Sequence, residues 1–219
     1  MCGRFLIKSS KKKLEKFFQA SFVDDSFKPR YNAAPTQQLP VIINQDPKKI
    51  QLFHWGYIPF WAKDEKIGNR MINSRAETIS EKPMFKKAFA EKRCLVITDG
   101  FYEWQKSKDG KIPYLIKMKD DQPFTFAGIW SSWKNPQSEV INSFSIITTE
   151  ANSLCKKIHD RMPVILKKEN YRDWLDQKNS TTKLQKLLKA FDPQKMEAYE
   201  VSKDVNSPAN NTADVIKAA

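Results

Sequence analysis

The sequence predicts a mixed α+β protein in one domain, with a curled, barrel-like β-sheet core flanked by short helices. Three observations point there. The apolar runs are short and bounded by polar turns, which favours strands over long buried helices. Twelve prolines, against only six glycines, interrupt any long-helix bundle. Helix-period segments are interleaved with the strand-like ones, without the regular β-α-β alternation of a doubly wound parallel sheet.

A first strand begins almost at once, over Cys2-Gly3-Arg4-Phe5-Leu6-Ile7. Lys11 to Ala20 then sets Leu14, Phe17 and Phe18 at helical spacing. Leu39 to Asn44 and Ile50 to His54 alternate or run apolar as strands do, and Pro83 to Lys92 reads as a helix capped by Ser80 or Glu81. Cys94 to Thr98, Pro113 to Met118, Phe124 to Trp130 and Ser143 to Thr148 are strand candidates, with a helix at Ala151 to Ile158 and a strand at Met162 to Leu166. Tyr171 to Leu175 and Leu184 to Phe191 are helical, Met196 to Val201 is extended, and the chain from Ser202 is polar and loop-like. No internal repeat or low-complexity linker divides the chain, so residues 1–219 form one domain.

The composition narrows the classes of partner. A chain of 219 residues, 40% hydrophobic and 12% aromatic, can bury one substantial core. Its 38 Lys and Arg against 25 Asp and Glu give a formal charge of +13, which favours encounter with a polyanion, nucleic acid first; a merely soluble basic protein has the same balance. No stretch reaches the length of a membrane span, and residues 1–20 lack an apolar core behind a basic start, so the expected location is cytoplasmic. Three cysteines without a C-x-x-C pair, and only His54 and His159 beside them, give neither a disulfide framework nor zinc-ligand spacing. No metal and no cofactor is expected.

Removal of Met1 would leave Cys2 with a free α-amine and a thiol on adjacent carbons, a pair that can attack one aldehyde twice. The amine gives an imine, the thiol adds to it, and a five-membered thiazolidine results. An α-amine pKa of about 7.7–8.0 leaves a useful neutral fraction near physiological pH. A cysteine in second place is otherwise an ordinary small apolar residue. Further on, Asn73 and Arg75 would share one face of an extended segment, an amide to orient and a guanidinium to hold phosphate. Glu103, among aromatics just after a strand, is either a carboxyl raised by burial for proton transfer or a surface carboxylate in a turn. His159 stands two residues from Arg161 at the end of a predicted helix, as a proton carrier or as a helix cap. Between His54 and Trp61 the aromatics and Pro59 belong mostly to the core, with one or two rings free to stack on splayed bases.

Six ordered motifs, Met1-Cys2-Gly3-Arg4-Phe5, Arg30-Tyr31-Asn32-Ala33-Ala34-Pro35, Trp55-Gly56 with Pro59 and Trp61, Asn73-Ser74-Arg75-Ala76-Glu77, Asp99-Gly100-Phe101-Tyr102-Glu103-Trp104 and His159-Asp160-Arg161-Met162-Pro163, closely resemble the SOS-response-associated peptidase family, the abasic-site processing proteins. The resemblance runs from residue 2 to about 208, leaving 209–219 as a polar tail; Asn211-Thr212-Ala213-Asp214 stands where the family usually has a proline. It implies a barrel-like α+β fold, no metal or cofactor, and capture of abasic single-stranded DNA as a thiazolidine on Cys2. It also implies active-site roles for Asn73, Glu103 and His159, phosphate contacts for Arg75 and Arg161, and a DNA groove lined by Arg4, Pro35, Thr36 and Trp61. Self-removal of Met1 and a suspected peptidase activity belong to the same implication. Because the imine would precede the thiazolidine, slow strand cleavage by β-elimination is a further expectation, and the protein is expected to be a monomer in the cytoplasm that joins the nucleoid on DNA. Two other classes compete. An N-terminal-nucleophile amidohydrolase also opens Met-Cys-Gly, but the Asn-Gly and Arg-Gly-Pro elements it needs are absent. A non-catalytic single-strand-binding module leaves Cys2, Asn73, Glu103 and His159 without a joint purpose.

Overall fold

Among the described residues, 2–219 of a computed structural model, the chain forms fourteen strands and four short helices. In order these are β1 (Arg4–Ile7), α1 (Lys11–Phe18), β2 (Ser21–Phe22), β3 (Arg30–Ala33), β4 (Gln38–Ile43), β5 (Asp46–Trp55) and β6 (Asn73–Arg75). Then come α2 (Pro83–Glu91), β7 (Arg93–Thr98), β8 (Gly100–Ser107), β9 (Gly110–Met118), β10 (Phe124–Lys134) and β11 (Val140–Glu150). The last are β12 (Arg161–Pro163), β13 (Ile165–Leu166), α3 (Tyr171–Leu175), α4 (Thr181–Gln185) and β14 (Met196–Glu200).

The larger sheet closes on itself. Antiparallel pairings run β5–β4–β7–β10–β11, and a parallel pairing of β11 with β5, Ser143 opposite His54, completes a mixed five-strand barrel. Closure removes the free edges that an open sheet would expose. The expected curled, barrel-like core is therefore what forms. Beside it lies a second sheet in the order β14-β9-β8-β1-β3. The two share a core through β1, whose alternation sends Phe5 and Ile7 into the main core and Leu6 to a smaller cluster with Tyr102 and Val205. Phe5 is fully buried, with its ring centroid 4.9 Å from Trp55 and 5.8 Å from Phe126.

Several elements depart from expectation for identifiable reasons. α1 stops at Phe18 because Gln19 turns left-handed, φ 53°, as its C-cap. α2 starts on Pro83 with Lys82 at the cap position and no side-chain cap, instead of on Ser80 or Glu81; proline presets φ and has no N–H to satisfy. The helix expected over 151–158 is a single 3-10 turn, Cys155–Lys157, because the Asn152 side chain captures the N–H groups of Leu154 and Cys155 at 3.1 and 2.9 Å. α4 covers Thr181–Gln185 after the Ser180 cap, rather than 184–191. β2, β3 and β8 were not anticipated as strands, whereas β6 is the extended segment expected to carry Asn73 and Arg75 on one face. The C-terminal segment is no loose tail. Asn211 Oδ1 accepts from the N–H groups of Tyr31 and Asn32 on the edge strand β3, and Val205 and Val215 are buried.

One close approach delivers the next motif to its place. Gly56 has φ 140°, and a Cβ on it would stand 2.8 Å from the Gly68 carbonyl oxygen, so the loop folds back tightly on itself. Tyr57 N–H then donates to Met71 O and the Trp55 indole to Ile72 O at 3.0 Å. Immediately after, β6 pairs in parallel with β11, Ile146 opposite Asn73.

Candidate active site at the second residue

Cys2 lies buried where β1 enters the core. β1 pairs antiparallel with β8, Arg4 opposite Tyr102 and Phe5 opposite Phe101, and one further step of that register sets Glu103 opposite Gly3, beside Cys2. Asn73 arrives from β6 and donates from Nδ2 to the Cys2 carbonyl at 2.8 Å. Its Oδ1 is buried without a hydrogen-bond partner among the described residues.

The electrostatics follow from burial. Glu103 is 3% exposed, and desolvation, with the Asp160 carboxylate adding to it, pushes its carboxyl up to about 7. Glu103 is thus no surface carboxylate in a turn: it sits within β8 and can both give and take a proton near neutral pH. Burial also raises the Cys2 thiol well above its ordinary range, and the Glu103 charge raises it further, so the sulfur rests as a thiol. Burial lowers the His159 imidazole, which is neutral at pH 7. Its Nδ1 accepts from Arg161 N–H at 3.0 Å and lies 2.8 Å from Asp160 Oδ1. Those contacts alternate with protonation: a neutral ring uses the first and keeps its proton on Nε2, and a proton on Nδ1 turns to Asp160. His159 follows the 3-10 turn at Cys155–Lys157 and caps no α-helix.

The six positions expected to contact DNA divide. Arg75 is exposed on the same face of β6 as Asn73, with Ser74 buried between them. Arg161 spends both Nη atoms on a bidentate pair with Glu77, 2.8 and 3.0 Å, and Nη2 also donates to Thr148 O at 2.7 Å. Arg4 donates to Asn32 Oδ1 at 2.7 Å and to the carbonyls of Val205 and Asn206, at 2.8 and 3.0 Å. These bonds clamp the C-terminal segment onto β1. Pro35 is half-buried and Thr36 exposed, with Thr36 at φ 71°, a rare conformation for a β-branched residue. Phe60 and Trp61 are 61% and 53% exposed, and Lys87 stands 5.5 Å over the Phe60 ring.

The surface around the site is continuous. A depression of about 540 Å³ lined by Asn73, Arg75, Lys82 and Met84 shares Met84 with one of about 330 Å³ holding Phe60, Trp61 and Lys87. It shares Arg75 with another of about 410 Å³ that holds Lys156, Asp160 and Arg161. Sequence reasoning gave no role to Glu77, Thr148, Asp160 or Lys156. Glu77 lies in the turn that follows β6, and Thr148 meets Arg161 only through β11, so neither contact is set by local sequence pattern. Among the described residues no group of three or more His, Cys, Asp or Glu is disposed to hold a metal ion, and no helix is long and apolar enough to cross a membrane.

Fold and site together define a class: α+β barrel proteins in which a buried cysteine at the second position is held by an asparagine amide beside a buried carboxyl. Residues 1–208 match the SRAP family, SOS response associated peptidase, and the chain belongs to it. It is 46% identical over 222 residues to the abasic site processing protein YoqW of Bacillus subtilis, covering 99% of both chains. It is 32% identical to the abasic site processing protein HMCES of Xenopus tropicalis, over 89% of this chain and 67% of that one. A crystal structure of a protein from Bacteroides thetaiotaomicron superposes with a TM-score of 0.92 at 33% identity, each chain fully covered.

Proposed function

We propose that this protein processes abasic sites in single-stranded DNA by joining them covalently to Cys2 once Met1 is removed. Met1 itself lies outside the described residues. The observation that carries the proposal is the meeting of Cys2 with Asn73 and with a Glu103 carboxyl raised to about 7.

The abasic sugar rests mostly as a closed hemiacetal. His159, neutral with a proton on Nε2, assists opening to the aldehyde by proton transfer at the ring oxygen and hydroxyl. The Cys2 amine, oriented by Asn73 Oδ1, attacks C1′; Glu103 moves a proton from nitrogen to the carbinolamine hydroxyl, which leaves as water and gives the imine. The thiol then adds across the C=N bond, a C–S bond forming as the thiol proton passes to the ring nitrogen. One water is lost in all. A thiol held protonated by burial suits this order, since sulfur is needed only after the imine exists. Arg75 grips a flanking phosphate without reading bases, and Trp61 stacks on a neighbouring base. Arg161, engaged by Glu77, holds the His159 turn through its own N–H and leaves at most a partial contact to phosphate. Because the imine precedes ring closure, slow β-elimination is a side reaction. The protein acts as a monomer, in the cytoplasm and on the nucleoid when DNA-bound.

Intact-mass analysis after incubation with an abasic single-stranded oligonucleotide tests the proposal. The expected product has the mass of the Met1-less chain plus DNA minus one water. A preparation that fully retains Met1 and still forms the adduct contradicts the amine-first route.

A further inference from the structure

Away from the Cys2 site lies a fourth depression, of about 580 Å³, that shares no lining residue with the Asn73–Arg75–Arg161 surface. Its floor is apolar: Met118, Phe124 and Leu166 are buried side chains at the ends of β9, β10 and β13. One wall is the junction where Lys119 N–H donates to the Lys195 carbonyl, which fixes two exposed lysines next to each other. A second wall carries exposed Lys167 and Lys168 with half-buried Phe17 and Tyr171. None of these four lysines is in a salt bridge among the described residues, and only Asp120 and Glu169 oppose them at the rim. This volume falls within the usual range for ligand sites, and an apolar floor between cationic rims asks for one apolar group flanked by carboxylates.

We propose that this groove docks an acidic peptide segment of a partner protein, one large apolar side chain seated on the Met118–Phe124–Leu166 floor and carboxylates reaching the lysines on both walls. A nucleic acid fits less well. Base stacking needs an open ring face, and here Lys168 already stands 4.2 Å over Phe17 while Tyr171 is stacked on Phe18. The rims also carry lysines only, without the bidentate arginines that grip phosphates.

Fluorescence anisotropy with a labelled peptide, Asp-Asp-Glu-Phe-Leu-Asp-Asp, tests this on the full chain. Binding is expected, weakened about tenfold by the double substitution Lys119→Glu/Lys195→Glu, and by a similar factor when the peptide's phenylalanine is replaced by alanine. Lys167→Glu/Lys168→Glu should act alike from the other wall. All four lysines are exposed, so unfolding midpoints should hold, as should adduct formation at Cys2. No binding of this peptide overturns the proposal, as does equal binding of its Asn/Gln counterpart. Tighter binding of oligothymidylate, lost in the same variants, would make the groove a nucleic-acid site and overturn it too.

Discussion

Replacing Glu103 by glutamine should make the protein more stable above neutral pH while slowing its chemistry. The carboxyl titrates at about 7 in the folded chain against 4.5 ordinarily, because burial disfavours the charged form. A group whose folded pKa is raised contributes stability that is fully present below the unfolded value and lost as pH rises through the folded one. The gap of roughly 2.5 pH units, at about 1.4 kcal/mol each, amounts to about 3 kcal/mol for a side chain this deeply buried. Glutamine keeps the shape of the neutral form at every pH. Urea unfolding of both proteins from about pH 4 to pH 9 should therefore give coincident stabilities at the acid end, and a gap widening through pH 7 towards about 3 kcal/mol in favour of Glu103→Gln. In the same range the inflection near pH 7 in the rate of adduct formation should disappear. Parallel stability curves at all pH values would show that Glu103 is not held neutral by burial, and the assignment of its proton-shuttling role would fall with it. A destabilising carboxyl retained in the core is the pattern of a residue kept for activity at a cost in stability.

Initial binding to DNA should weaken as salt rises, and Arg75→Gln should reduce the slope of log K against log[salt] by about one; an unchanged slope would remove Arg75 from the phosphate contacts. Glu77→Ala should cost no more than about 1 kcal/mol, since the pair is partly solvated, yet slow adduct formation by releasing Arg161 and the His159 turn. Because Arg161 holds the Glu77 carboxyl below its ordinary range, what stability the pair gives is present above the unfolded pKa and fades as pH falls through the folded one, so the two proteins should converge in acid. Phe5→Ala, which empties the ring contacts to Trp55 and Phe126, should lower unfolding free energy by about 3–5 kcal/mol, measured by denaturant titration; a loss below about 1 kcal/mol would mean that the core does not hinge on β1.

The parts of this fold that local pattern dictates were legible. β1, β7, β10 and α3 lie close to where apolar runs and periodicity set them, and the mixture of short strands and helices led to a barrel-like sheet. What escaped depends on contacts distant in sequence. Asp99-Gly100 has the look of a surface turn, yet the chain makes only a single bend at Asp99 between β7 in one sheet and β8 in the other, held there because the buried Asp99 carboxyl accepts from Ser9 N–H and Oγ, and Thr98 Oγ1 donates to Leu6 O. That arrangement is what buries Glu103 instead of exposing it. Arg4 was assigned to a DNA groove by the family resemblance alone; its partners Asn32, Val205 and Asn206 lie far off in sequence and reach it only in the fold. The members of the candidate site, Cys2, Asn73, Arg75, Glu103 and His159, could be picked out because each has a distinct chemistry in an ordered motif. Their support, Glu77 and Thr148 around Arg161, was not, because contacts between a turn and strands distant in sequence leave no periodic trace.

The central claim is that both halves of the Cys2 aminothiol take part, and comparison of wild type with Cys2→Ser tests it most directly. With Met1 removed, the serine variant keeps the α-amine but its hydroxyl adds poorly to an imine at neutral pH. Wild type incubated with abasic single-stranded DNA should give an adduct that survives denaturation without reductant. Cys2→Ser should give one that borohydride traps and heat or dilution otherwise loses, with more strand cleavage as the imine persists. Equally durable adducts from the two proteins, or none from either, would contradict the thiazolidine account.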